Sequence, residues 1–163
     1  MKKLMLMLVR MLPLPFTANM ARTDDFDDAL ATYQNGDYAT AFKLFKPLAE
    51  QGNANAQHNL GLMYDDGEGV IQDDKEAVKW YRLAAEQGHA MAQNNLGLMY
   101  ATSRGVLQDD KKAHMWWNIA RANGEKENAD HNIKSITQRM TPADIAKAQD
   151  MARQCMASNY RDC

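Results

Sequence analysis

The feature that most constrains this chain is a passage written out twice. Leu60-Gly61-Leu62-Met63-Tyr64 returns 36 residues later as Leu96-Gly97-Leu98-Met99-Tyr100. The flanks keep step: Gly69-Val70 with Gly105-Val106, Gln72-Asp73-Asp74-Lys75 with Gln108-Asp109-Asp110-Lys111, Trp80 with Trp116, and Gly88 with Gly124. A period of that length marks an array of stacked supersecondary units.

Within one unit, Ala56, Leu60, Gly61 and Tyr64 fall on one side of a helix, while Gln57, His58 and Asn59 turn elsewhere. Ala77, Trp80, Tyr81, Ala84 and Ala85 form the stripe of a second helix, with Gly88 placed to end it in a left-handed conformation. Between them, Asp65 to Val70 is a glycine-punctuated turn, and Asp73 or Asp74 is positioned to cap the second helix. Gly61 and the alanines leave room for Trp80 and Tyr81 to approach the facing helix. A single helix pair cannot cover its apolar face, so neighbours must stack. The expected fold class is all-α, a solenoid of antiparallel helix pairs.

The strings Leu-Gly-Leu-Met-Tyr, Gly-Val-x-Gln-Asp-Asp-Lys and Trp-Tyr-Arg-Leu-Ala-Ala-Glu-Gln-Gly, at this period, resemble the Sel-1-like repeat family, relatives of the tetratricopeptide helix pairs. The resemblance is close over the second and third repeats. It implies a right-handed α-solenoid and an interaction role, with the first helix of each pair lining a concave face. On that face Asn55, His58, Leu62 and Asp65 of the second repeat, and Met91, Asn94, Leu98 and Ala101 of the third, are expected to meet a protein or peptide partner. Amides would bond its backbone and apolar groups would fill pockets. In the third repeat Ala101-Thr102-Ser103-Arg104 replaces Asp65-Asp66-Gly67-Glu68, so a turn glycine is lost and a different loop conformation is expected. Some cysteine-rich members of the family are described as penicillin-binding or β-lactam-hydrolysing proteins. Those carry a cysteine pair in each repeat, and the repeats here contain none.

The rest of the chain is read around this array. Repeats are expected at about 24–52, 53–88 and 89–124, the first with a shorter turn at Gly36-Asp37 and with Pro47 bending its second helix. Residues 125–163 are expected to form a capping helix pair, its last helix opened by Thr141-Pro142-Ala143-Asp144. Residues 1–21, with Lys2-Lys3 before an apolar stretch, read as a secretory signal peptide. That segment is too short and interrupted for a membrane span, so no integral span is expected in the mature chain. Export makes a Cys155–Cys163 disulfide the natural reading of the two cysteines, and places the protein in the periplasm or outside the cell.

Charged residues make up 25% of the chain and the net charge is −2, with lysines and arginines scattered, which disfavours nucleic acid as a partner. The acidic turn lacks the alternating ligands of a calcium loop. His58, His89, His114 and His131 show no metal-ligand spacing and read as surface or groove residues. No nucleophile motif is visible, so no catalytic residue, cofactor or metal is expected, and the chain reads as a monomer.

Overall fold

The structure is a computed structural model that describes residues 23–161 and 163. The proposed signal peptide lies outside these residues. Among them the chain forms eight helices and no strand: α1 (Thr23–Gln34), α2 (Tyr38–Glu50), α3 (Ala54–Asp66), α4 (Asp74–Ala85), α5 (Ala90–Thr102), α6 (Asp110–Ala122), α7 (Lys126–Thr137) and α8 (Pro142–Ala157).

Helix ends fall where local chemistry replaces missing backbone partners. Asp73 and Asp109 cap α4 and α6, each accepting two N–H groups of the first turn, and Asn53 and Thr141 cap α3 and α8. Gly67, at φ 74°, closes α3 through its N–H to the Met63 carbonyl. Ser103 closes α5 in the same way, at φ 60° and onto Met99. The expected divergence of the third-repeat loop is therefore absent at this residue. A serine accepts the left-handed turn, and its hydroxyl bonds the Val106 carbonyl at 3.3 Å. Helix α2 runs through Pro47 to Glu50, because the proline sits near its C-terminal end and is exposed.

The helices stack as a right-handed α-solenoid of antiparallel pairs. Helix α3 packs against α2 and α4, α5 against α4 and α6, and both α7 and α8 cover α6. One core gathers Phe45, Leu48, Leu60, Met63 and Trp80; the next gathers Tyr81, Leu96, Met99, Trp116, Trp117 and Ile119. Close approach depends on two missing side chains. A Cβ on Gly61 would lie 2.6 Å from the Tyr81 ring, and one on Gly97 2.6 Å from Trp117 Nε1. Tyr81 and Trp117 are thereby buried, each worth about 2–3 kcal/mol of apolar burial.

Each long loop is wedged against the repeat before it. Gly69 and Gly105 have positive φ, and a Cβ on either would collide with the backbone carbonyl of Tyr38 or Asp74, the first residue of the preceding second helix. At the far end, Ile136, Ala148, Ala152 and Cys155 seal the stack. A disulfide joins Cys155 to Cys163, with Cα atoms 5.1 Å apart. The strap it closes brings Tyr160 against Gly88, and the Tyr160 hydroxyl both donates to and accepts from the Asn123 side chain.

Candidate functional site

The residues expected on the concave face separate into accessible and internal ones. Asn55 is exposed at the start of α3, Leu62 is half-buried, and Met91 and Leu98 are 51% and 39% exposed on α5. Asn94 and Ala101 are half-buried. The Asn94 side chain accepts a hydrogen bond from Asn132 at 3.1 Å, and its carbonyl accepts one from Trp117 Nε1 at 3.0 Å. Asp65 is engaged from two sides, by the Tyr81 hydroxyl at 3.2 Å and by the Arg104 guanidinium.

His58 corrects the expectation. It is buried, at 6% exposure, and stacks on His89 with ring centroids 4.6 Å apart. Burial, with a smaller contribution from the His89 charge, pushes it down to about 4. His114 is also internal, on α6, and burial lowers it. Gln57, expected to turn away from the packed side, is buried as well. The apolar stripe locates one neighbour of a helix, but α3 is covered by both α2 and α4, so polar residues flanking the stripe are enclosed too.

Polar groups form two hydrogen-bond ladders that the helical spacing does not reveal, the first enclosed and the second nearer the surface. Gln57 donates to the Ala49 carbonyl and Gln93 to the Ala85 carbonyl, both at 3.0 Å. Gln87 then donates to Gln57 at 2.7 Å, and Asn123 to Gln93 at 2.9 Å. The only hint in the sequence is that glutamines 57 and 93 share a repeat position, as do the amides Gln87 and Asn123. The second ladder is ionic. Arg104 reaches the Asp65 carbonyl and carboxylate and Asp74 at 2.9 Å; Arg139 reaches the Ala101 carbonyl at 3.1 Å and both oxygens of Asp110 at 2.8 Å. Each arginine thus ties the end of one first helix to the start of the following second helix. In the place of Arg104 the previous repeat has Glu68, which accepts from the Tyr33 hydroxyl at 2.5 Å.

Between α5 and α7 this framework leaves a cleft of about 170 Å³. Leu98 and Ala101 form one wall, Asn132 and Ser135 the other, with Trp117 and Ile136 beneath. The apolar floor suits one aliphatic side chain, and the amide and hydroxyl rim suits the backbone carrying it. Among the described residues no group of three or more His, Cys, Asp or Glu is placed to hold a metal. No described helix is long and apolar enough to cross a membrane.

The family model of the Sel1 repeat matches residues 29–53, 54–89 and 90–125. The chain belongs to the Sel1 repeat family. Among solved structures, this Sel1 repeat chain is similar to a protective antigen present in uropathogenic Escherichia coli strains that displays an SLR fold, with a TM-score of 0.79 and 26% identity over 85% of this chain and 31% of that one. A Sel1 repeat protein from Oxalobacter formigenes gives a TM-score of 0.57 and 33% identity, over 69% of this chain and 50% of that one. A curated relative, an exopolysaccharide production negative regulator of Rhizobium leguminosarum bv. viciae, is 40% identical over 56 residues, or 34% of this chain. The chain spans 21% of that relative's length.

Proposed function

We propose that this Sel1 repeat chain is a non-enzymatic interaction module that binds an extended peptide or a protein edge along its first helices, in the cell envelope. One observation carries the reading: Leu98, a large apolar group left exposed on α5, lines the cleft between α5 and α7, and Met91 is exposed two turns earlier on the same helix. Leu62 occupies the position of Leu98 one repeat earlier, so apolar contacts recur at the repeat step. The two ladders support it by holding successive first helices in fixed register, which lowers the ordering cost of binding. The Cys155–Cys163 disulfide is in keeping with an oxidising compartment, and one relative's name connects that protein with exopolysaccharide production.

The test is affinity capture from the native envelope fraction with Leu62→Ser/Leu98→Ser. Its control is Ile71→Ser/Leu107→Ser, two aliphatics 88% and 89% exposed on the loops. Both variants are expected to keep wild-type circular dichroism. The groove variant is expected to lose a protein that the wild type and the loop variant retain; equal capture by all three would refute the assignment.

A further inference from the structure

The second and third repeats meet at a pair of imidazoles that the interaction reading does not use. His58 on α3 and His89, the residue capping α5, stack with their planes 25° from parallel. Tyr81 of α4 lies 6.0 Å from the His58 ring, and Asn95 of α5 is 3.4 Å from its Nε2. His89 is half-buried, and its Nδ1 accepts the Ala92 N–H at 3.2 Å, a bond only an unprotonated nitrogen can make. Other titratable and charged groups around the joint are the Tyr81 phenol, the Asp65 carboxylate it donates to, Asp66 beside it, and Arg104 beyond. Among the described residues neither ring is bonded to a carboxylate, so a proton gained here meets no counter-charge.

We propose that this stacked pair is an acid-sensitive joint between the second and third repeats, closed while both rings are neutral and loosened when either takes up a proton. A charge on His58 is enclosed without a partner and faces a second imidazole. A charge on His89 removes the acceptor that caps α5 and sets a cation at a helix N-terminus, against the helix dipole. Burial holds both groups below the ordinary histidine value, His58 at about 4. The unfolded chain takes up these protons near about 6.5, before the folded chain does. Stability is therefore full above that value and falls as the pH drops from there toward about 4.

The array supplies its own test residues, because Asn53 occupies the position of His89 one repeat earlier and Asn94 that of His58 one repeat later. Urea unfolding of the full chain between pH 7.5 and 4.5 would compare wild type, His89→Asn and His58→Asn/His89→Asn, alongside an NMR titration of the His58 ring. Across that window the wild-type unfolding constant is expected to rise about a hundredfold more than that of the double variant. His58 is expected to titrate higher in His89→Asn than in wild type. Buried His114 is common to all three and cancels in the comparison. Parallel stability curves, or a wild-type His58 titrating at the ordinary value, would overturn the proposal. If the double variant does not fold, His89→Asn decides alone: its curve must be shallower than the wild type's.

Discussion

The second and third repeats keep the same geometry with different chemistry. Gly61 admits Tyr81 in one, and Gly97 admits Trp117 in the other. A left-handed glycine ends α3 and a left-handed serine ends α5. At the loop, Glu68 grips the Tyr33 hydroxyl of the preceding repeat, whereas Arg104 grips Asp65 and Asp74 of its own predecessor. What is exchanged between them is the ring, the left-handed cap and the loop side chain that reaches a partner. The glycines whose backbone meets a ring or another backbone do not vary between the two repeats, since dense packing leaves no room there for a Cβ.

This distinction orders the expected effects of substitution. Gly105→Ala is expected to be most damaging, because it places a Cβ into the Asp74 carbonyl at positive φ, with backbone on both sides. A loss of about 3 kcal/mol or more in urea unfolding is expected, with Gly69→Ala close behind; a loss below about 1 kcal/mol would show that the wedge yields. Arg104→Ala should cost about 1 kcal/mol, since its ion pairs are partly exposed, and the cost should shrink in high salt. Glu68→Ala should show less salt dependence, as it gives up a bond to a neutral phenol; equal salt dependence would mean the two loops are held alike. Gly67→Ser, which writes the third repeat's residue into the second, should change stability by less than about 1 kcal/mol, with far-ultraviolet circular dichroism unchanged.

Much of the architecture is legible in the sequence. The period and the apolar stripes announced the stacked pairs, and Asp73, Thr141 and Gly88 marked helix ends because capping acts within a few residues. The cleft itself is not legible in the sequence: Leu98 and Ala101, expected on the concave face, line it, but Asn132, Ser135 and Ile136 come from α7, which lies outside the repeat pattern. Histidine was the misleading residue. Nothing in the spacing of His58 and His89 foretold that two rings from different repeats would share one enclosed space.

The sequence by itself determined the unit, its length, its terminators and the side of each helix that must be covered, because these follow from chain stereochemistry and from apolar groups avoiding water. Only the tertiary structure decided which polar groups went inside with them. Gln57 and Gln93 are tolerated there because packing brings the Ala49 and Ala85 carbonyls to them, while nearer the surface Arg104 and Arg139 are held because adjoining repeats supply their acidic partners. A buried polar group is stable only where another segment satisfies it, and that segment's position is known only once the repeats have stacked.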